Sequence, residues 1–404
     1  MPWNERKAVD QRRKFIQEWQ QEEEGIAELC RRYEISRPTA YKWIERYEAE
    51  GEEGLRERSR APRHRPHGIA EQVAAVIVKL RQQHPRWGPR MLRHVLERDQ
   101  PQKNRWPAAS TIGELLRREG LAKARQPRRR TPAYSQPLAH AEGPNAVWCA
   151  DFKGWFVCGD GRRCDPLTCS DAYSRYLLRC RAVEKADGVH VRAVFEALFR
   201  EQGLPWAMRT DNGSPFASRA PGGLSRLGMW WLRLGIRHER IAPGCPQQNG
   251  RHERMHRTLK AETAAPPRAT LRQQQQAFLH FEQEYNYVRP HQALDYRTPA
   301  QLYVPSPRPY PARLPELVFP DGAQLRRISQ QGSLKWKGER TFLSEVLARE
   351  WVGLLEVEEG WLEIYYGSLR LGWLDAVHQR FKPEPPLRRR KARGRRLGTA
   401  PATP

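Results

Sequence analysis

The sequence predicts a multidomain, mainly α/β protein in which a mixed α/β core lies between helical N-terminal units and a small C-terminal β-barrel. Three observations predict it. The chain has 404 residues, too many for one typical domain. Pro- and Arg-rich stretches at 56–68, 124–137 and 304–315 divide it. Between them the hydrophobic pattern changes from helical spacing to strand-like runs.

These divisions predict five regions. They are a helix-turn-helix domain at 1–56, a second helical unit at 68–124, an α/β core at 138–303, a small β-barrel at 314–380 and a basic disordered tail at 381–404. The residue pattern of the second unit fits another helix-turn-helix and a helical spacer equally well. The tail contains RRRKARGRR, and a run of like charges of this kind is typical of a disordered arm that contacts phosphates.

Composition indicates the class of binding partner and the cellular compartment. Lys and Arg number 71 against 46 Asp and Glu, a net charge of +25 that predicts a polyanionic partner. A basic ribosomal or membrane-surface protein would share that excess. We expect no membrane span and no signal peptide. The seven Cys are scattered without a CxxC pair, which favours a reduced cytosolic protein and packing roles for Cys158, Cys164 and Cys169.

Residues 25–51, GIAELCRRYEISRPTAYKWIERYEAEG, have the pattern of a helix-turn-helix. Apolar residues recur at helical spacing, and Ser36 followed by Pro38 predicts the start of the second helix. That helix would enter a DNA major groove. Its outward, DNA-contacting side chains are predicted to be Arg37, Thr39, Tyr41, Lys42 and Arg46. The alternative is a plain helical hairpin with a charged surface.

Residues 140–300 alternate between strand and helix patterns. Strands are predicted at 145–158, 164–170, 175–183, 204–210 and 236–241, and helices at 187–202 and 222–235. Three strands in a meander, followed by alternating helix and strand, predict a mixed sheet covered by helices. From 316 to 375, short alternating runs separated by Gly predict a small β-barrel or an open sheet.

Three acidic residues stand at the ends or edges of separate core elements: Asp151, Asp211 and Glu253. Other acids have structural explanations, with Asp160 in a hairpin turn, Asp171 beginning the next turn and Asp187 as a helix N-cap. Three converging carboxylates suit hard divalent cations. Two such ions about 4 Å apart can stabilise the attacking and leaving oxygens of a phosphoryl transfer.

The stretch 244–262, GCPQQNGRHERMHRTLKAE, predicts a helix that begins near Asn249. At about 100° per residue, Glu253, Arg257 and Lys260 share one face, where the two cations can contact DNA phosphates. The alternative is that Arg257 only pairs with Glu253. Of the remaining side chains, Met255 and Leu259 are predicted to pack inward, His252 and His256 to lie at the surface or toward DNA, and Glu262 to point away as a surface charge or ion-pair partner.

Five segments, in order, resemble the catalytic core of the integrase-like DDE transposases of bacterial insertion sequences: DFKGWF, SRYLL, RTDNGSPF, PQQNGRHERMHRTLKAE and YNYVRPHQALDYRTPAQLY. The likeness covers residues 140–303. It implies an RNase H-like core in which Asp151, Asp211 and Glu253 are catalytic and hold two Mg²⁺ ions, with Mn²⁺ as a substitute. The 41 residues between Asp211 and Glu253 exceed the usual spacing, and the extra length is expected at 218–231.

The resemblance also implies a function and partners. Such enzymes cut transposon ends and join the freed 3′-hydroxyl to target DNA. The partners would be double-stranded DNA, as terminal inverted repeats and target, and further copies of the chain in a homodimer or larger assembly. The location would be the bacterial cytoplasm, at the nucleoid. Two alternatives stay open: an RNase H-like nuclease that does not join DNA, and a non-catalytic DNA-binding regulator.

Overall fold

A computed structural model describes residues 8–58, 69–101, 106–122, 141–242, 245–358 and 360–384. The chain divides into two units, residues 1–73 and 74–404. The predicted linker at 124–137 and the basic run at 388–396 lie outside the described residues, as does most of the predicted linker at 56–68. Among the described residues, no helix has the length and apolar character needed to cross a membrane.

The first unit contains three helices, α1 (Ala8–Gln20), α2 (Ile26–Arg32) and α3 (Arg37–Glu50), and a 3-10 turn at Gly51–Leu55. All three helices contribute to one buried cluster, which contains Phe15, Ile16, Leu29, Cys30, Ile35, Ala40, Trp43, Ile44 and Leu55. Ser36 precedes α3 as predicted. Its hydroxyl, however, bonds to Thr39 Oγ1 at 2.8 Å instead of capping a backbone N–H.

Three more helices follow: α4 (Glu71–Gln83), α5 (Pro89–Asp99) and α6 (Ala109–Arg118). The segment between α4 and α5 joins them to the α/β core of the second unit. The ring of His84 stacks on Trp87 with centroids 3.7 Å apart, and its Nδ1 lies 2.9 Å from the Glu284 carboxylate. Arg86 donates to the carbonyl of Ala261 at 3.1 Å.

The core is built on a mixed sheet. Its strands are β1 (Val147–Phe152), β2 (Phe156–Val157), β3 (Arg163–Asp171), β4 (Leu177–Val183), β5 (Ala207–Thr210) and β6 (Arg237–Arg240). The order is β4-β3-β1-β5-β6, and short β2 pairs with the start of β3. Strand β3 pairs with β1 and with β4 in antiparallel orientation, and β5 pairs with β1 and with β6 in parallel orientation. The predicted meander, followed by alternating helix and strand in a mixed sheet, is therefore confirmed.

Two pairs of helices cover the sheet. On one face, α7 (Gly188–Gln202) and α8 (Arg226–Arg233) pack on Trp148 and Ala150 of β1. On the other face, α9 (Gly250–Thr263) and α10 (Leu271–Gln283) pack through Met255, Leu259, Phe278 and Phe281. Side chains alternate along a strand, so Asp151 points to the α9 face. Cys158, Cys164 and Cys169 are buried and free, as predicted.

The predicted linker at 304–315 is partly bound to the core. Ser306 N donates to the carbonyl of Gln202 at 2.8 Å, and Leu204 N donates to that of Arg308 at 2.8 Å. The Arg308 guanidinium donates to the carbonyls of Pro205 and Leu234. This segment is anchored because one guanidinium donates hydrogen bonds to main-chain carbonyls next to two core elements.

The C-terminal region contains seven strands. They are β7 (Gln324–Arg327), β8 (Ser333–Trp336), β9 (Glu339–Phe342), β10 (Trp351–Glu358), β11 (Trp361–Tyr366), β12 (Leu369–Asp375) and β13 (Arg380–Lys382). They form an open sheet, β13-β12-β11-β10-β7, and a separate β8-β9 hairpin. The predicted closed barrel is not confirmed. Leu334 and Trp336 of the hairpin pack into the buried cluster of the sheet, so the hairpin is held by side-chain packing and not by a strand ladder.

Candidate active site

Asp151 lies at the centre of the core sheet. It is in β1, opposite Thr168 of β3, and its side chain is 18% exposed. Burial is the largest cause that raises its pKa, to about 7, and the charge of Asp211 comes next. The charge of Glu253 acts in the same direction. Asp211 and Glu253 therefore each lie within electrostatic reach of Asp151.

Asp211 follows the neighbouring parallel strand. In the ladder between β1 and β5, Cys149 pairs with Arg209. Asp151 and Asp211 each come two residues later, so both emerge at the same edge of the sheet. Gly213 N donates to Asp211 Oδ1 at 3.0 Å, which holds this carboxylate in a tight turn.

Glu253 stands in the first turn of α9, which Asn249 precedes as predicted. Its side chain is exposed. Among the described residues, neither Asp211 nor Glu253 forms an ion pair with a basic side chain. Three carboxylates without basic partners form a donor set that suits a hard cation such as Mg²⁺. The described residues nevertheless hold no set of three His, Cys, Asp or Glu already arranged around one metal position.

The prediction that His252 and His256 lie at the surface is wrong. Both are buried, with 2% and 3% exposure, on the same inward stripe of α9 as Met255 and Leu259. Their Nε2 atoms lie 2.7 and 2.5 Å from Thr168 Oγ1. The rings point inward because a strand hydroxyl beneath α9 provides a partner that compensates for burying a polar group.

The hydrogen bonds at Thr168 determine the histidine tautomers. Thr168 Oγ1 donates its proton to the carbonyl of Asp151 at 3.0 Å, so both Nε2 atoms donate to Thr168. Burial lowers the pKa of His252 to about 3 and of His256 to about 2, so both rings are neutral. Each Nδ1 is then an acceptor. That of His252 faces Ser170 Oγ at 2.8 Å, and that of His256 faces Asp151 Oδ2 at 3.7 Å.

A similar pair supports Asp211. Thr210 Oγ1 donates to the carbonyl of Asp211 at 2.9 Å and lies 2.9 Å from His238 Nε2. Burial, followed by the charge of Arg240, lowers the pKa of His238 to about 4. Both aspartates thus have their own carbonyl bonded to a threonine hydroxyl that contacts a neutral histidine, which is buried on the Asp151 side and half-buried on the Asp211 side. Sequence reasoning missed Thr168, Thr210 and His238.

The other predicted residues of α9 divide between two surfaces. Arg257 and Lys260 are exposed, and no ion pair between Arg257 and Glu253 occurs among the described residues. Glu262 points away from Glu253 and pairs with Arg289 at 3.2 Å, as predicted. Met255 and Leu259 are buried, also as predicted.

The predicted DNA-contacting residues of α3 differ in exposure. Arg37, Tyr41 and Lys42 are exposed. Thr39 and Arg46 are half-buried. The Thr39 hydroxyl bonds to Ser36, and the Arg46 guanidinium lies 5.0 Å from the centre of the Trp43 ring. Arg37, Tyr41 and Lys42 are therefore the most accessible of the five.

The mixed sheet, with carboxylates at the ends of two parallel strands and on the covering helix, defines an integrase-type core. Integrase core domain family models match residues 141–246 and 234–299. A helix-turn-helix domain model matches 11–63, and a homeodomain-like domain model matches 39–116.

Known proteins are similar to part of this chain. The insertion element IS407 uncharacterized 31.7 kDa protein of Burkholderia multivorans is 30% identical over 57% of this chain and 80% of its own length. The insertion element IS476 uncharacterized 39.2 kDa protein of Xanthomonas euvesicatoria is 29% identical over 59% of this chain and 66% of its own length. A structure of the HTLV-2 integrase catalytic core domain in complex with magnesium aligns with 40% of this chain and 99% of that chain, at 17% identity and a TM-score of 0.32.

The chain belongs to the insertion-sequence transposases of the retroviral integrase superfamily. It is a DDE transposase/integrase enzyme with helix-turn-helix DNA-binding domains. This assignment rests on the sequence relatives and on the integrase core models.

Proposed function

We propose that the protein binds the terminal inverted repeats of an insertion sequence, cleaves their 3′ ends and joins them to target DNA. One observation carries this proposal: Asp151, Asp211 and Glu253 come from two adjacent parallel strands and the helix above them, where the charges of Asp211 and Glu253 oppose that of Asp151 and only the nearby charge of Lys153, among the described residues, is recorded as attracting it. A bound cation would remove that repulsion.

The three carboxylates would hold two Mg²⁺ ions, for which Mn²⁺ can substitute. Asp151, Asp211 and Glu253 would supply carboxylate oxygens to these ions. When bound, the ions would stabilise the attacking and leaving oxygens. Exposed Arg257 and Lys260 would contact the phosphates beside the scissile bond.

Joining needs no external energy source. The 3′-hydroxyl oxygen forms a bond to the target phosphorus, and the bond from that phosphorus to its 3′-oxygen leaving group breaks. One phosphodiester replaces another, so neither ATP nor a covalent enzyme intermediate is required. The protein's contribution is to align the two strands and balance the developing charge.

We assign the remaining regions to DNA recognition and assembly. The boundaries are those expected from the sequence: 1–56, 68–124, 138–303, 314–380 and the tail 381–404. The α3 side chains that would recognise the terminal repeat are Arg37, Thr39, Tyr41, Lys42 and Arg46. The C-terminal sheet and hairpin would act as a barrel-like accessory module. Two ends must meet, so a dimer or larger assembly at the bacterial nucleoid is part of the proposal.

The direct test uses the full chain with Mg²⁺, a pre-cut duplex carrying the element's terminal repeat and a supercoiled plasmid. The expected product is the duplex joined to the plasmid through its 3′-hydroxyl. Cleavage without joined product would instead identify a nuclease. Specific binding of the repeat without metal-dependent cleavage would identify a regulator.

His256 provides a further test of the site. We expect His256→Ala to lower metal-dependent joining by about 10- to 100-fold and to raise the Mg²⁺ concentration for half-maximal rate, because the ring fixes the β1 backbone and faces Asp151. His190→Ala is the matched control, since that ring bonds to Asp187 on the exposed surface of α7. An unchanged Mg²⁺ dependence in His256→Ala would leave the ring with a packing role alone.

A further inference from the structure

A cavity of about 490 Å³ lies beside α9. Arg251, which lines it, lies about 160° from Glu253 around the helix, whereas Arg257, which also lines it, shares the Glu253 face. The basic residues that line the cavity are Arg175, Arg251, Arg254, Arg257 and Arg289. Neither Asp151 nor Glu253 belongs to its wall.

These guanidinium groups have few counter-charges. Among the described residues, Asp171 is the one carboxylate in the wall, and it already accepts bonds from Asn145 N, Ser174 N and Ser174 Oγ. Arg289 pairs with Glu262. Within the same described part of the chain, Arg175, Arg251 and Arg254 form no ion pair. Several like charges therefore face one enclosed space.

Arg175 has a buried donor without a partner. Its Nε is buried and has no acceptor among the described residues, although guanidinium N–H groups are strong donors. Burial, followed by the charge of Arg251, lowers its pKa. The backbone of Arg175 has a φ of 64°, a left-handed conformation that is costly for a residue with a long side chain.

Asn249 is a second, independent sign. It also lines the cavity and is 5% exposed, and its Oδ1 is buried without a donor among the described residues. A buried amide oxygen and a buried guanidinium Nε without partners in that part of the chain, in one cavity, indicate a ligand with both donor and acceptor capacity or an anion with bound water.

We propose that this cavity binds a phosphate group of the DNA backbone, as a second DNA contact beside α9. A planar guanidinium group can donate two parallel hydrogen bonds to two phosphate oxygens. Several guanidinium groups around one space therefore favour an oxyanion that accepts hydrogen bonds in this bidentate way. The net charge of +25 favours DNA over a protein carboxylate as its source. This contact rests on the DNA substrate of the proposed function but not on its metal chemistry.

The test measures binding of the full chain to a labelled terminal-repeat duplex in EDTA, by fluorescence anisotropy at several salt concentrations. Arg175→Asn removes the guanidinium and keeps a residue that tolerates the left-handed backbone. Arg254→Gln removes a second cation from an exposed helical position. Arg272→Gln is the matched control for the loss of one charge, because Arg272 is an exposed residue of α10 that lies outside the cavity.

In each cavity variant, the negative slope of log K against log salt is expected to become less steep by about 0.9, the value for one lost phosphate contact. Arg272→Gln is expected to leave the slope at the wild-type value. Wild-type slopes in both cavity variants, with unchanged thermal unfolding, would overturn the proposal. So would stabilisation of the wild type by inorganic phosphate that Arg175→Asn abolishes while DNA binding is unaffected, because the cavity would then bind a free anion. Because no metal is present, inactive catalysis would not affect the result.

Discussion

Asp211→Asn is expected to lower the rate of DNA joining by at least about a thousandfold, which corresponds to about 4 kcal/mol of transition-state stabilisation. The amide keeps the size of the side chain and still offers an oxygen to Gly213 N. It loses the negative charge that a metal ligand at this strand end requires. The fold and DNA binding should therefore persist while the chemistry is lost.

The measurement is strand transfer of a pre-cut terminal-repeat duplex in Mg²⁺, and again in Mn²⁺. Asp160→Asn is the matched control, because Asp160 lies in the β2–β3 turn, where its carboxylate accepts from Arg162 N. That variant should join DNA normally. Near-normal joining by Asp211→Asn would refute the assignment of Asp211 as a ligand, provided that both variants bind the duplex as the wild type does.

The sequence predicts the core elements well because their signals are local. Asp187 accepts from the N–H groups of Val189 and His190 at the start of α7, and Gly203 ends that helix in a positive-φ conformation. Both features depend on residues within one helical turn. The order of strands and helices from β1 to α9 follows from such signals.

The adjacency of the acidic residues requires long-range pairing. Asp151 and Asp211 reach the same sheet edge because β1 and β5 pair in parallel with a particular register. Nothing in either local segment specifies that register. Placing the two carboxylates together from the sequence therefore depended on family resemblance, whereas the ladder accounts for it physically.

The helical periodicity of α9 could have predicted that its two histidines are buried. His252 and His256 are four residues apart and share the inward stripe of α9 with Met255 and Leu259. Periodicity alone therefore placed them inward. Their polarity argued for the surface, and the partner that offsets the cost of burial, Thr168, is more than eighty residues away in the chain.

Composition was a weaker guide at the C-terminal end of the core. The Pro-rich stretch at 304–315 resembles a linker, yet Arg308 binds carbonyls that become neighbours only after β5 and α8 are in place. The barrel prediction had the same weakness. Alternating residues predicted strands, but closure depends on which edge strands pair, and the hairpin packs on the sheet without such pairing.

Asp151→Asn is expected to stabilise the metal-free core at alkaline pH, although it should abolish activity. The pKa of Asp151 is raised from 3.8 to about 7, so the folded core binds a proton more tightly than the unfolded chain does. The stability that this proton provides is complete below about pH 4 and is lost as the pH rises to about 7. The difference between the two pKa values corresponds to an upper limit of about 4 kcal/mol.

The asparagine variant has no such charge, and its amide N–H can donate to the His256 Nδ1 acceptor 3.7 Å from the wild-type oxygen. In EDTA, its melting temperature should therefore exceed that of the wild type at pH 8, and the gap should close toward pH 4. Thermal unfolding across this pH range measures the gap, with Asp160→Asn as the control whose gap stays near zero. A gap that does not change with pH would show that Asp151 is not held at a raised pKa.

Mg²⁺ should reverse this order. A bound cation would neutralise the carboxylate charge that Asp151 carries at pH 8, so it should raise the melting temperature of the wild type by mass action and leave that of Asp151→Asn unchanged. The same burial and neighbouring charges that destabilise the metal-free core thus favour cation binding. A carboxylate cluster without basic partners is costly to fold, and that cost is the physical basis for expecting a metal at this site.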